Sequence, residues 1–380
     1  MHVSRRVGSA ALVAVMLAGC SHHRGATPSV SPTARYDAVA VPLADLSLTL
    51  PEHVTLAASI AAPPGGVTGL ALFGEWLSWN DAPASPTAAP GTGRPQPTET
   101  VATNLRTGVR VVVAGHAADA VTTLSVGTGD VLVQRETMPR PKSECAPGAP
   151  DCWEWAIYSH DLRTGAEHLL AKSTGPRPQD HNPIVVAGSG HAAWQQFDAS
   201  EHVVTVVADL ATGVLTTVQR DVPSSQLSIV GDDLYLDDGR AHPPTLLRVP
   251  LAGGAAAVRK LTQFYRPRVA AGVVSWITGE PTKRMTVQVQ PAGAATAPEN
   301  VFSSSEIYEA FPLGPGATAV QDFEGLSLSI GTTPTRITTA NDGPARVTAD
   351  GSRFAFEVPD RNDKPVVVVL DVVDALRRSP

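Results

Sequence analysis

The 380-residue chain has only three cysteines, and its aromatic and charged side chains make up only 5% and 17% of the total. Each shortage removes a class of protein. Three cysteines cannot build the disulfide framework of a small secreted domain, nor the paired Cys and His sets of a structural zinc site. The charged fraction lies below the roughly 25% of an ordinary soluble domain. With 29 basic against 36 acidic side chains the net charge is −7. No basic stretch is present to displace phosphate counterions, which argues against nucleic acid as a partner. After residue 20 no run is long and apolar enough to span a bilayer, and no long amphipathic helical pattern occurs. Catalytic signatures are scarce too: there is no Gly-x-Ser-x-Gly elbow, no Walker loop, no His-Glu-x-x-His and no Gly-x-Gly-x-x-Gly opening a helix. The acidic stretch GDDLYLDDG at 231–239 lacks the ligand spacing of a calcium loop. Its alternation reads as one strand between two turns, with Asp233, Asp237 and Asp238 as turn residues. No metal site and no catalytic residue is assigned.

What the chain has is punctuation and a patterned beginning. Its 33 prolines and 32 glycines suit many short strands and turns. Met1 to Arg6 is short and basic, Val7 to Met16 is apolar, and Leu17-Ala18-Gly19-Cys20 closes the segment. Val7 to Gly19 is too short for a spanning helix, and its basic, apolar, small-residue order is that of an export signal. The segment resembles a bacterial lipoprotein signal with its lipobox. That resemblance implies cleavage before Cys20, a diacylglycerol thioether on its sulfur, and retention on the extracytoplasmic face of the cell membrane. No other cofactor is expected.

Residues 1–19 are thus expected to be a signal peptide and residues 20–40 a lipidated cysteine with a flexible linker. The linker stretch SHHRGATPSVSPTARYDAVA is too small and polar to bury a core, so His22 and His23 read as solvated. Loss of the leader removes Arg5 and Arg6 and leaves 27 basic against 36 acidic side chains, a net charge of −9. Export to an oxidising compartment makes Cys145 and Cys152, in SECAPGAPDCW, an expected local disulfide.

Residues 41–380 repeat. Asn/Asp-Leu-x-Thr-Gly between two strand patterns occurs at 104, 161 and 209, with weaker echoes at 250 and 290. The acid or amide is expected to accept hydrogen bonds from the turn backbone, and Gly to take the positive φ of the hairpin loop. Glycines 108, 165, 213, 253 and 293 are spaced by 57, 48, 40 and 40 residues, a base unit near 40 with insertions. Between these hairpins lies a second element, an apolar strand, a Gly turn and a strand ending in a large side chain. It begins at 70, 124, 185, 227, 268, 313 and 346. Trp79, Trp194, Trp276 and Phe356 take similar places in it and read as fillers between neighbouring sheets.

One such sheet cannot bury both faces, and radial repetition solves this. The expected fold is all-β, a seven-bladed β-propeller of four-stranded antiparallel blades, with six or eight blades as neighbouring alternatives. The last copy, with Pro344, Asp350, Gly351 and Ser352, resembles the TolB-type, WD40-like (PD40) propeller repeat. The other six mostly lack Asp-Gly-Ser. The seventh copy runs short of an outer strand, so residues about 52–60 are expected to complete it, pairing the two chain ends and removing an edge.

Two insertions, 81–99 and 137–153, are placed between the second and third strands of adjacent blades, on one rim. They read either as tolerated loop growth or as binding segments on a rigid scaffold. The links from one blade to the next share that rim and end in polar or aromatic residues: Asp180, His181 and Asn182; Tyr265 and Arg266; Glu306, Tyr308 and Glu309; Asn341 and Asp342. They are candidates either to converge on a ligand at the channel mouth or to cap strands in solvent. The leading functional expectation is a membrane-anchored, monomeric binding or scaffold module for a protein partner or envelope ligand. The alternative is a propeller enzyme of lactonase, glycosidase or quinone-dependent dehydrogenase type, using acids such as Asp180 and Glu309, or His181, at the channel.

Overall fold

The computed structural model describes residues 41–372 except 47, 53, 63–66, 82–98, 117–119, 141–142, 144–152, 174–182, 239–240, 242–244, 262–264, 281–282, 294–295 and 340–346. Strand β1 (Thr55–Ala61) precedes the first blade, which is β2 (Thr68–Phe73), β3 (Trp76–Asp81), β4 (Glu99–Asn104) and β5 (Arg110–Val113). Blade 2 is β6 (Val121–Thr128), β7 (Val131–Pro139), β8 (Trp153–Asp161) and β9 (Glu167–Lys172). Blade 3 is β10 (Val185–Gly188), β11 (His191–Phe197), β12 (Val203–Asp209) and β13 (Leu215–Arg220). Blade 4 is β14 (Leu227–Val230), β15 (Asp233–Asp238), β16 (Thr245–Pro250) and β17 (Ala257–Lys260). Blade 5 is β18 (Tyr265–Ala270), β19 (Val273–Glu280), β20 (Arg284–Pro291) and β21 (Glu299–Ser304). Blade 6 is β22 (Ile307–Gly314), β23 (Ala317–Asp322), β24 (Gly325–Ile330) and β25 (Thr333–Thr339). Blade 7 joins β26 (Val347–Asp350), β27 (Arg353–Pro359) and β28 (Pro365–Asp371) to β1, in the order β26-β27-β28-β1. All seven sheets are four-stranded and antiparallel, and each inner strand touches the next, β26 returning to β2. The protein is a seven-bladed β-propeller.

The closing strand is β1, paired from Thr55↔Asp371 to Ala61↔Val366, within a residue or two of the stretch expected from sequence. Its partner β28 is sealed on both faces: Val366 to Leu370 are each at most 1% exposed. A continuous apolar run is what a strand buried on both sides requires. Upstream, the described residues between 41 and 54 form a strap across blades 6 and 7. Thr49 N donates to Ile337 O at 2.9 Å, Leu46 bridges Asp360, and Leu46 and Val54 join the core between those blades.

The repeated motifs have one geometry. Asn104, Asp161 and Asp209 each accept from the backbone N–H groups two and three residues on, at 2.8–3.1 Å, and Gly108, Gly165 and Gly213 have φ of +72° to +76°. The residue that follows the third strand then donates its N–H to a carbonyl in the turn between the first and second strands. This bond occurs in every blade, at Leu105, Leu162, Leu210, Leu251, Ala292, Gly331 and Val372, with lengths of 2.7–3.1 Å. It ties the two hairpins of a blade together on one rim, the hairpin rim. The blade-to-blade connections and the turns between second and third strands form the opposite, connection rim. The strand ends that flank the two insertions, those of β3 and β4 and of β7 and β8, lie on that rim.

The aromatic residues fill the gaps between blades. Trp79, Trp194, Trp276 and Phe356 are at most 2% exposed, each fourth in its second strand. Each packs with residues of the preceding blade: Trp79 with Val367 and Val369, Trp194 with Trp155 and Ile157, Trp276 with Tyr235 and Leu246, Phe356 with Leu326 and Leu328. Blade 7 is also bonded to blade 1 by side chains, since Gly74 N donates to Asp350 Oδ2 at 2.7 Å and Arg353 Nη2 donates to Gly74 O. A Cβ on Gly74 would lie 2.8 Å from Gly129 O of blade 2, so the turn admits only glycine.

The acidic stretch at 231–239 corrects one sequence expectation. Asp233, Asp237 and Asp238 are strand residues of β15, and Asp237 is 6% exposed. Its carboxylate accepts from Ser225 N at 2.9 Å, Ser225 Oγ at 2.8 Å, Gln226 N at 2.8 Å and Ser224 Oγ, clasping the connection into blade 4. The alternation was read correctly as a strand, but the partners of the acid lie 11–13 residues upstream and leave no local signal.

Two outcomes test this packing. Trp194→Ala is expected to cost about 3–5 kcal/mol, read as a fall in chemical-denaturation midpoint at unchanged slope. A chain starting at residue 63 should lose its single cooperative melt and associate through the bared β28 edge, visible by size-exclusion chromatography.

Candidate functional site at the channel mouth

Seven inner strands surround a central channel of about 720 Å³. Most of its wall is backbone and small side chains, including Gly69, Gly127, Gly188, Ser125, Ser189, Ser228 and Thr348. Gly127 is required here, because a Cβ would lie 2.5 Å from the Phe73 ring of blade 1. Among the described residues, the ionisable ones in the lining are Arg268 on β18 and Asp350 on β26. Asp350 is engaged with Gly74, whereas Arg268 sits nearer the connection rim.

Of the residues named from sequence, Arg266, Tyr308 and Glu309 come together at this mouth. Arg266 Nη1 donates to Tyr308 O and, at 3.0 Å, to Glu309 Oε1. Arg268 Nε and Nη2 both donate to Glu309 Oε2, at 3.0 and 2.8 Å, and its guanidinium lies 4.5 Å over the Phe311 ring. Tyr265 is 56% exposed and Glu306 is exposed, neither drawn into the group. Phe323, in the β23–β24 turn, is also exposed on this rim and its N–H bonds Glu306 O. Arg268 and Phe323 were missed by sequence reasoning. The one signal for Arg268 was a cation inside an inner strand, in a chain with few cations.

Asp180, His181, Asn182, Asn341 and Asp342 lie outside the described residues, as do Cys20, Cys145 and Cys152. Next to the first group, Pro183 O accepts from Arg135 Nη1. Arg135 is buried, which pushes its guanidinium down to about 10.

A second polar cluster, between blades 1 and 2, was not anticipated. His116, on the connection, stacks on Tyr158 with ring centroids 3.6 Å apart and 8° between planes. Its Nδ1 is 2.9 Å from Glu136 Oε1 and its Nε2 is 2.6 Å from Glu167 Oε1, while His160 Nδ1 is 3.2 Å from Glu167 Oε2. Burial alone would lower the His116 pKa, but its hydrogen bonds to Glu136 and Glu167 outweigh this and raise it to about 9. Burial would raise Glu167, and the bonds to His160 and His116 bring it down to about 2. Burial, then Glu136 and Glu167, push the Tyr158 hydroxyl up to about 12. An imidazolium bonded at both nitrogens has no lone pair for a metal or a proton, so this cluster fastens the connection to the blade. Among the described residues no group of three or more His, Cys, Asp or Glu is placed to hold a metal ion, and no helix is long and apolar enough to cross a membrane.

No family model matches the chain, and no curated protein matches it in sequence. Solved structures do match in shape. Oligogalacturonate lyase in complex with manganese aligns at TM-score 0.55 and 11% identity, over 86% of this chain and 96% of that one. The propeller domain of the trilobed protease from Pyrococcus furiosus aligns at 0.54 and 9% identity, over 80% and 94%. Acylaminoacyl peptidase from Pyrococcus horikoshii aligns at 0.54 and 11%, over 77% and 49%, so this chain spans about half the length of that enzyme. TolB from Acinetobacter baumannii is a more distant neighbour, at 0.40 and 10% identity over 72% and 61%. At such identities the likeness is one of fold.

The His116 cluster sets a pH dependence. A raised histidine contributes stability that is complete below its unfolded value of 6.5 and is lost as pH rises through about 9. A depressed glutamate contributes above its unfolded value of 4.5 and loses that contribution as pH falls through about 2. Thermal melts should thus show the full contribution between 4.5 and 6.5, with a decline on either side. His116→Ala should lower stability by about 1–3 kcal/mol within that window and flatten the alkaline limb.

Proposed function

We propose that this protein is a lipid-anchored, extracytoplasmic binding module that uses the connection rim of its propeller to hold a protein partner or an envelope ligand. The observation that carries the reading is the asymmetry of the two rims. The hairpin rim is tied off by the repeated backbone bond in every blade. The connection rim carries the channel mouth with its Arg266–Glu309–Arg268 group, the exposed Tyr265 and Phe323, and the stems of both insertions. Exposed aromatics and arginines are the side chains that contribute most to binding when a partner covers them. Anchorage rests on the Leu17-Ala18-Gly19-Cys20 segment. Two or more buried acyl chains hold a protein stably, at about 0.8 kcal/mol for each methylene.

In detergent phase partition, the intact protein should enter the detergent phase and Cys20→Ala the aqueous phase; equal partition would refute the anchor. In-cell crosslinking should recover a reproducible partner with the intact protein and lose it in variants shortened at 82–98 or 143–152. Unchanged recovery in both variants would rule out the loop-bearing part of the rim.

A further inference from the structure

We infer that Arg268 is an oxyanion receptor set in the wall of the channel, whose free guanidinium edge takes the carboxylate or phosphate group of a small ligand entering from the connection rim. The inference deepens the binding reading and rests on it for the side from which a ligand arrives.

Three observations converge on this residue. The first is which of its donors are engaged. A guanidinium has five N–H groups in a planar fork. Nε and Nη2 spend one each on Glu309 Oε2, at 3.0 and 2.8 Å. That leaves the end of the fork, both hydrogens of Nη1 and one of Nη2, without an acceptor among the described residues, while Arg268 lines the channel and is one-third exposed. Two parallel N–H groups on that end match the spacing of two oxygens in a carboxylate or phosphate.

The second is charge. Glu309 is shared between Arg266 and Arg268, at 3.0 Å from one and 2.8 Å from the other. Two guanidinium groups and one carboxylate leave the group with a net charge of +1. Arg268 is the one cation among the described channel-lining residues, and the acid in that lining, Asp350, is bonded to Gly74 N at 2.7 Å. An anion in the channel is therefore drawn to the β18 wall. Ser228 on β14 and Thr348 on β26 occupy the same level as Arg268, each two residues before the end of its inner strand, and both line the channel. They add hydroxyl groups to that level.

The third is rigidity. Arg266 has φ +48°, a conformation unfavourable for a side chain with a Cβ, and the β18–β19 register shifts between Tyr265 and Arg268. This bulge lets Arg266 and Arg268 share one carboxylate, and the Phe311 ring supports the Arg268 guanidinium from its face, 4.5 Å away. Strain of this kind persists where surrounding structure over-determines it, and it concentrates at ligand sites. The receptor is thus held in place before a ligand arrives, which lowers the ordering entropy lost on binding.

Isothermal titration of the purified protein with citrate and, separately, inorganic phosphate at low ionic strength tests the assignment. At least one probe is expected to bind with millimolar or better affinity, and which one does so separates carboxylate from phosphate ligands. Arg268→Gln should weaken that binding roughly tenfold or more. Arg268→Lys, which keeps the charge and loses the fork, should weaken it nearly as much. Glu309→Gln removes the competing carboxylate and should tighten binding several-fold, an opposite sign that a merely unfolded variant does not produce. Thermal melts establish that each variant is folded. Arg361→Gln, an exposed cation on the β27–β28 turn of the same rim, should bind as the unaltered protein does. Binding of neither probe at about 10 mM, or equal binding in Arg268→Gln, would overturn the inference. So would equal loss in Arg361→Gln, or unchanged binding in Glu309→Gln. Detergent partition and partner capture are read on Arg268→Gln in parallel, so a failure of the oxyanion site is told apart from a failure of the anchored binding module.

Discussion

The pairing of β1 with β28 is the constraint on which the rest of the molecule depends. A ring of sheets has no edge only if its last sheet is complete, and blade 7 is completed by residues about 300 positions away in the chain, with Thr55 facing Asp371. β28 is hydrogen-bonded on both sides and buried on both faces, with Val367, Val368, Val369 and Leu370 all fully excluded from solvent. Once that strand is enclosed, every blade has two neighbours, and the aromatic residues of the second strands each have a preceding blade to pack against. The channel is a by-product of the same closure, since seven inner strands held at fixed spacing cannot meet at the axis.

Two kinds of fastening then give the rims different characters. On one, the repeated backbone bond joins the hairpins within each blade. On the other, polar side chains of the second strands catch an adjoining connection, the one entering the blade at Glu136 and Asp237 and the one leaving it at Gln195 and Glu357. Glu136 takes His116, Gln195 takes Val222 O and Ser224 N at 2.7 and 2.8 Å, Asp237 takes Ser225 and Gln226, and Glu357 takes Val67 N at 2.7 Å. These side chains differ from blade to blade because each meets a different connection. Arg268 and Glu309 belong to the same layer of the molecule, but their pairing faces the channel and is left partly open.

That difference explains what could be read from sequence. Features that repeat were legible: the Asn/Asp-Leu-x-Thr-Gly turns, the blade number, the aromatic fourth residue of the second strand, and the closing strand near 52–60. Each leaves the same local pattern several times, or pairs with a visible shortage elsewhere. Features made once were not legible. Glu309 was named as a candidate, but its partner Arg268 lies 41 residues earlier, and nothing in the stretch around Arg268 announces a shared carboxylate. The His116 cluster joins residues 20 and 51 positions apart, and the alternation of 231–239 puts Asp237 in a flanking turn because its acceptor role depends on a connection 11–13 residues upstream. Lipidation at Cys20 and pairing of Cys145 with Cys152 remain expectations that rest on sequence pattern and compartment.

The strap at 41–54 has a mechanical meaning. A pull entering from the N-terminal side meets the Leu46–Asp360 bridge and the Thr49–Ile337 bond before it reaches the first residue of β1. Those contacts spread the load over blades 6 and 7. The strap serves the ring as a strain-relief clamp serves a cable, keeping traction on the leading segment from peeling open the one sheet that holds both ends of the chain.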